Sequence, residues 1–514
     1  MSNFRVLMLY PNYQHEMMVP PALALFTALL KREGFMVDLF DTTNYKIDTG
    51  WVDSEKVKLT TTLSVRPFFN PHTQEKTTDA YQDFLSKVES FNPDLLLVTA
   101  TENMFPMAIN LLKHVDHLGI IPVVLGGVFA TFAPDLAMCW QEIDMLCVGE
   151  GEYVIVELCR RMNRGEDFSN IPGLWVRQKD GSIKKNTIGP RVNMDENPLP
   201  DFSLFEDARF YRPMSGKIRR IFPVETHRGC PFTCAFCNSP DQDRLYETAT
   251  GQKFFRKKRF DRIREELLYC RDVGRAEYIF FWADTFFAWS ESEFDEFCEM
   301  YADIKLPFWC QTRPETVVDH RIKKLKDVGI HRMGFGVEHG NRQFRKDVVD
   351  RRYSNELVIE RMRIPAKHGV EFSVNNIIGF PDETRELAFD TIELNRHIAS
   401  DTMSCSIFVP FHGTRLRELC VQRGYIHPDV ICPTNSDDTV LNMPPPFMDK
   451  KTMKGLRRTF AMYTKFPKER WPRIRQAEEL TPEGDEVWER LREEFVETFF
   501  ASPEGDIEKV NATA

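Results

Sequence analysis

Phe222-Pro-Val-Glu-Thr-His-Arg-Gly-Cys-Pro-Phe-Thr-Cys-Ala-Phe-Cys-Asn238 begins as a β-run and ends as a loop carrying three cysteines, Cys230, Cys234 and Cys237, separated by three and then two intervening residues. Thiolates at this spacing, with Gly229 and Pro231 at the strand exit, are metal ligands in type and arrangement. A loop of three thiolates can hold three corners of an iron–sulfur cubane, whereas structural zinc and four-thiolate clusters want a fourth ligand. The next cysteine, Cys270, falls inside a helical pattern, and the nearest histidine is His227. Three readings therefore stand together: a cluster with one open iron, a zinc site completed by His227, and three incidental buried thiols.

Downstream of this loop, strand-like runs recur at Tyr278–Trp282, Phe308–Gln311, Arg332–Val337, Phe372–Ile378 and Ser404–Val409, each but the last followed by a helical stretch. With Phe222–Thr226 they make six strands at a spacing that predicts a barrel or partial barrel, with chemistry at the C-terminal strand ends. Upstream, Phe4–Tyr10, Met36–Phe40, Leu95–Val98, Val123–Leu125 and Met145–Val148 alternate with amphipathic stretches such as Ala22–Arg32 and Tyr153–Met162, the pattern of an open parallel sheet. The loops after these strands, where such sheets bind ligands, hold Asn12, Thr99 to Asn103, Gly126-Gly127 and Gly149-Glu150-Gly151-Glu152.

Thr43–Thr78 is a polar excursion without sustained period, long enough to suggest a lid or flap. Asp180-Gly181 between short runs predicts a hairpin, and the proline-containing Asn197–Pro213 reads as a linker. From Asp449 the pattern is helical: Lys450–Arg475 carries ten basic residues against one acidic, and Glu478–Glu504 turns acidic, which reads as a solvated or clamp helix in preference to an anion-binding surface. These boundaries divide the chain at 1–195, 196–430 and 431–514.

At 514 residues, 42% apolar and 28% charged, the chain is long enough for about three globular units and too ordinary in composition for a disordered protein. A net charge of −10 disfavours a nucleic-acid binder. Met1–Tyr10 lacks an export signal, and Pro20–Leu30 is far short of a membrane span, which predicts a cytoplasmic protein whose 12 cysteines are mostly buried thiols.

The C-x3-C-x2-C string with Phe236 before its last cysteine resembles the signature of the radical S-adenosylmethionine (SAM) superfamily. Phe281-Trp-Ala-Asp-Thr-Phe286, Gly334-Phe-Gly-Val-Glu338, Ile377-Ile-Gly-Phe-Pro-Asp-Glu-Thr384 and Pro410-Phe-His-Gly-Thr414 resemble later strand ends of its cobalamin-binding subgroup. Leu125-Gly-Gly-Val-Phe-Ala-Thr131 and Val148-Gly-Glu-Gly-Glu152 are similar to that subgroup's cobalamin loops, and the likeness runs from about Phe4 to Arg415. The fold it implies is α/β: an N-terminal Rossmann-like cobalamin-binding domain, a partial (β/α)6 radical SAM barrel and a helical C-terminal tail.

The resemblance further implies that Cys230, Cys234 and Cys237 ligate a [4Fe-4S] cluster whose open iron is chelated by SAM. Phe236 would lie against adenine and Glu338 would accept the ribose diol. Asp284 and Asn375 are candidate polar contacts of SAM, and Gly379 a turn beside it. Asn12, Thr99, Glu102, Gly126, Gly127, Gly149, Glu150 and Gly151 are candidate cobalamin contacts. The D-x-H-x-x-G string that supplies a lower cobalt ligand in other cobalamin domains is missing; His15 stands nearby, and His117 is wrongly placed. The implied reaction is methylation of an unactivated carbon, or of phosphorus, using methylcobalamin and a 5′-deoxyadenosyl radical, with a flavodoxin or ferredoxin-type reductant. The alternative is cyclisation or rearrangement without net methyl transfer, as in the anaerobic magnesium-protoporphyrin monomethyl ester cyclase; a sensor whose cluster only reports redox state is a third. The substrate is not legible: Phe281, Trp282, Phe286, Phe287, Trp309 and Phe411 read as barrel core in preference to pocket wall.

Overall fold

The computed structural model describes residues 4–47, 58, 61–115, 121–433 and 438–500, so His117, the middle of the Thr43–Thr78 excursion and the last residues of the acidic tail lie outside it. The first sheet is built from β1 (Arg5–Tyr10), β2 (Met36–Asp41), β3 (Leu95–Thr99), β4 (Val123–Gly126) and β5 (Met145–Cys147), all parallel, in the order β2-β1-β3-β4-β5. Val6 to Leu9 are buried without alternation because helices cover both faces of the sheet, which is why these strands read as continuous apolar runs. The strand order reverses between β1 and β3, so the loops at Asn12 and at Ala100–Asn103 flank the crevice where such sheets receive ligands. The expected hairpin, β6 (Leu174–Arg177) and β7 (Ile183–Lys185), extends the β5 edge antiparallel. Its turn holds because Asp180 accepts from both the backbone N–H and the hydroxyl of Ser182, and Gly181 takes φ +84°.

In spatial order the second sheet runs Thr402–Ile407, Glu371–Ile378, Ile330–Glu338, Phe308–Thr312, Tyr278–Trp282, Lys217–Glu225 and Tyr211–Met214. Six of its strands are parallel: β9 (Lys217–Glu225), β12 (Tyr278–Trp282), β13 (Phe308–Thr312), β14 (Ile330–Glu338), β15 (Glu371–Ile378) and β16 (Thr402–Ile407). A two-stranded pair, β10 (His227–Arg228) and β11 (Arg256–Lys257), stands at the exit of β9. Two expectations are corrected. Asn197–Pro213 is not only linker, since Tyr211–Met214 forms β8, antiparallel to β9. Pro213 is tolerated there because an edge strand leaves one row of N–H positions unpaired. The last strand is also followed by a helix, Arg415–Gln422.

Among the described residues β8 and β16 are the two ends of this sheet, so the half-barrel has an open side. The polar excursion bridges it. Arg66 pairs with Asp401 ahead of β16 at 3.2 Å, the Pro67 carbonyl lies against Gly216 in the β8–β9 turn, and Leu63 is buried in the tail-side core.

The tail helix Lys450–Lys465 packs on β16 and on the helix Arg385–Arg396, and Trp471–Glu478 and Pro482–Phe495 pack on it and on each other. One Arg396 guanidinium nitrogen donates to the Tyr463, Thr464 and Phe466 carbonyls, satisfying the end of the basic helix. Basic and acidic halves of the tail pair with each other, Lys451 with Glu479 at 2.8 Å and Arg458 with Asp485 at 2.5 Å, which accords with the clamp reading. No helix among the described residues is long and apolar enough to cross a bilayer.

Candidate active site

The cysteine loop is fixed from both ends. Pairing of His227 with Lys257 and of Arg228 with Arg256 turns the chain away from β9. Gly229 (φ +77°) passes so close to Phe254 and Phe255 that a Cβ would lie 3.0–3.2 Å from them. Further on, Ala235 N–H donates to Val349 O and Leu416 N–H to Ala235 O, tying the loop to the exits of β14 and β16.

Each sulfur has its own polar neighbour. Cys230 Sγ lies 3.4 Å from Thr285 Oγ1, Cys234 Sγ receives the Arg313 guanidinium at 3.4 Å, and Cys237 Sγ receives the Ser239 N–H at 3.5 Å. Ser239 begins the helix Ser239–Thr250, whose N-terminal dipole favours negative charge. Burial pushes the Cys230 thiol up and Cys237 up to about 12, so a cationic centre would displace their protons on binding. The donor set suits thiolate sulfurs bound to iron: a guanidinium, a helix-end amide and a hydroxyl all point at them.

The zinc alternative fares worse. Among the described residues no three His, Cys, Asp or Glu side chains converge on a point where a single metal ion would sit. His227 bonds Thr226 Oγ1 through Nδ1 and is walled by Phe255 and Trp289, and burial pushes it down to about 4.

Phe236, Glu338 and Asn375 line one cavity of about 580 Å³ inside the half-barrel. Glu338 sits at the end of β14 in the left-handed region (φ +67°), where a non-glycine residue is held only by its surroundings. Its carboxylate pairs with Arg351 at 3.1 Å, and Gly336, lacking a Cβ, leaves it room. Burial raises the Glu338 carboxyl, against the opposing charges of Arg351 and Arg313. Arg351 also lies 5.5 Å from the Phe236 ring centre. Asn375 is lower in the cavity, accepting from Ser404 Oγ at 3.0 Å. Asp284 stands at the cysteine loop, where it accepts from Ser239 Oγ at 2.9 Å and is raised by burial. Gly379 departs from expectation: a Cβ there would meet Met453 Sδ at 2.6 Å, so its close neighbour is the C-terminal helix.

A loop of the first sheet reaches the start of the cysteine loop through Glu150 and Arg228, and several of the expected cobalamin contacts also touch protein. Glu102 is buried and accepts from the backbone N–H groups of His412 and Cys432, with His412 Nδ1 at 2.9 Å. Glu150 accepts from Arg228, Arg256 and the Val192 N–H. Both carboxylates thus join the first sheet to the barrel. A Cβ on Gly127 would meet Ala100 O at 2.6 Å, on Gly149 the Tyr246 hydroxyl at 2.7 Å, and on Gly151 the Phe26 ring at 2.8 Å. Asn12 is buried, donating to Glu16 O and Thr43 Oγ1. His15 pairs with Glu75 at 3.1 Å. What remains open is the edge at Thr99, Gly126 and Val128: a Cβ on Gly126 would meet only Cys147 Cβ, at 3.8 Å, and apolar Val128 is 43% exposed.

Sequence patterns independently divide the chain in the same way: the Radical SAM superfamily matches residues 224–394 and the B12 binding domain residues 68–159. This chain is a radical SAM enzyme of the cobalamin-binding kind. An uncharacterized methyltransferase of Pyrococcus horikoshii is 28% identical to this radical SAM enzyme over 67% of its length and 73% of the relative's. An anaerobic magnesium-protoporphyrin IX monomethyl ester cyclase of Rubrivivax gelatinosus is 26% identical over 65% and 60%. Among solved structures, the radical SAM methyltransferase TsrM of Kitasatospora setae, with cobalamin and a [4Fe-4S] cluster bound, shares the fold with TM-score 0.61 at 16% identity, covering 91% of this chain and 82% of that one.

Several residues of this radical SAM enzyme's site escaped the sequence reading. Arg313 and Arg351 had no motif to mark them, and Arg228 sat unremarked within the quoted string. Phe281, Phe286 and Phe287 are core as expected, whereas Trp309 and Phe411 line the cavity with Phe280.

Proposed function

We propose that this enzyme is a cobalamin-dependent radical SAM methyltransferase acting on an unactivated carbon. One observation carries the reading: Phe236 of the three-cysteine loop lines the Glu338 cavity, and Glu102 on His412 and Glu150 on Arg228 tie loops of the first sheet to the barrel. When bound, the cluster supplies the electron that cleaves SAM to a 5′-deoxyadenosyl radical, and cobalamin supplies the methyl group.

The chain's own residues bind and orient. Cys230, Cys234 and Cys237 would hold iron as thiolates, with Arg313 and the Ser239 N–H stabilising their charge. Glu338 would accept the ribose diol of SAM, its aim kept by Arg351. Phe236 would cover adenine, and Asp284 and Asn375 are its candidate polar neighbours. Thr99, Gly126 and Val128 would carry the corrin edge. The Ser64–Arg66 segment, on the open side of the barrel, would keep water from the radical. The reductant would be a flavodoxin or ferredoxin in the cytoplasm.

Similarity to the Rubrivivax gelatinosus cyclase supports a second reading, cyclisation without methyl transfer. The two separate in anaerobic turnover. Methylation requires S-adenosylhomocysteine and 5′-deoxyadenosine to accumulate together; 5′-deoxyadenosine alone, with substrate converted, overturns methylation and favours cyclisation.

A further inference from the structure

Cys230 is met by a hydroxyl and Cys237 by a backbone amide, but Cys234 is met by a charge. The Arg313 guanidinium comes from the loop after β13, 79 residues away in sequence, and puts Nη1 3.4 Å from Cys234 Sγ. Two further contacts fix its aim. Its central carbon lies 3.9 Å from the ring centre of Phe232, on the same cysteine loop. Nε and Nη2 both meet Glu315 Oε1, at 2.6 and 2.5 Å, so the carboxylate holds one side of the planar fork and leaves Nη1 for the sulfur. Arg313 is buried and Glu315 is 23% exposed, so water and salt screen the pair only in part. Arg351, another guanidinium whose field reaches Cys234, pairs with Glu338 at 3.1 Å. Among the described residues Arg313 is the one cation hydrogen-bonded to a sulfur of the loop.

A positive charge against a cluster sulfur favours the state that holds the extra electron, because reduction adds one unit of negative charge beside it. Glu315 opposes that effect from the other side of the fork. Resting on the assignment of a [4Fe-4S] cluster to Cys230, Cys234 and Cys237, we propose that the Arg313–Glu315 pair sets the cluster's reduction potential, Arg313 raising it and Glu315 offsetting part of the rise. One electron from an outside reductant, dithionite or a flavodoxin, takes the cluster from the 2+ to the 1+ state. Arg313 keeps its proton throughout, as a guanidinium does in proteins, so it acts through charge and a hydrogen bond alone.

A redox titration of the anaerobically reconstituted protein with dithionite and viologen mediators, read by the paramagnetic signal of the reduced cluster, tests this. At the potential where the wild type is half reduced, Arg313→Gln is expected to show a ratio of reduced to oxidised cluster about tenfold lower, a midpoint about 59 mV more negative. Glu315→Gln, which leaves the Arg313 charge unopposed, should raise the same ratio by about threefold. Arg313→Lys, which keeps the charge but not the fork, should fall between the wild type and Arg313→Gln. Both Gln variants break the same ion pair, so damage to the loop would move them the same way or not at all, and only charge moves them in opposite directions. Iron analysis of each sample selects the variants that hold a full cluster. If Arg313→Gln does not, Glu315→Gln decides, with a rise required; if neither does, the pair serves only to hold the loop and the proposal falls. Any result in the loaded variants other than a fall for Arg313→Gln and a rise for Glu315→Gln overturns it. A wild type that assembles no cluster overturns instead the assignment on which the proposal rests.

Discussion

Cys230, Cys234 and Cys237 differ in burial and in neighbours, yet each is met by a donor that favours a thiolate. Replacing any one by alanine is expected to abolish SAM cleavage and to lower iron retention after reconstitution, read by iron analysis; full iron in any single variant would contradict the assignment. Glu338→Gln keeps shape but removes the charge that a ribose diol and Arg351 both need. SAM affinity should fall about tenfold by equilibrium dialysis, and an unchanged affinity would exclude Glu338 from the SAM site.

At the scale of elements, Glu102 joins the loop after β3 to the loop after β16. Burial alone would raise its carboxyl, but the hydrogen bond and charge of His412, with the Cys432 and His412 amides, hold it below its ordinary 4.5. A depressed carboxylate contributes stability that is fully present above the unfolded value and is lost as pH falls through the folded one. Glu102→Gln should therefore cost about 3 kcal/mol in denaturant unfolding at neutral pH, and the gap to wild type should narrow once pH drops below the ordinary carboxylate value. A gap independent of pH would show that the charge is not what matters. Gly379 is the corresponding test of the tail: Gly379→Ala should destabilise by about 1–3 kcal/mol through positive φ and contact with Met453, with part of the loss recovered in Met453→Ala. Full recovery would leave no backbone strain, and none would leave no clash.

The parallel strands of the first sheet were legible because burial on both faces makes them short uninterrupted apolar runs, and the cysteine loop because thiols are rare and its spacing is specific. β8 was hidden by Pro213, whose meaning depends on whether its strand is an edge. The glycines after β4 and β5 are less telling for a related reason: a missing Cβ signals close approach, and Ala100, Tyr246 and Phe26 meet that demand as well as a ligand would. The residues that hold the site, Arg313, Arg351 and Arg66, reach it from other elements, and contact across such distances leaves no local pattern.

For the whole molecule, the half-barrel sheet and the bridging Ser64–Arg66 segment line a reaction space that Phe236 of the cysteine loop also borders. That space matters only if the loop holds a cluster with a free iron that SAM can reach. Electron paramagnetic resonance of the anaerobically reconstituted, chemically reduced protein, recorded before and after SAM is added, tests this directly. The account predicts a reduced [4Fe-4S] signal that changes on SAM addition and is absent from the Cys234→Ala protein. A protein that takes up zinc in place of iron, or a cluster signal indifferent to SAM, would contradict it.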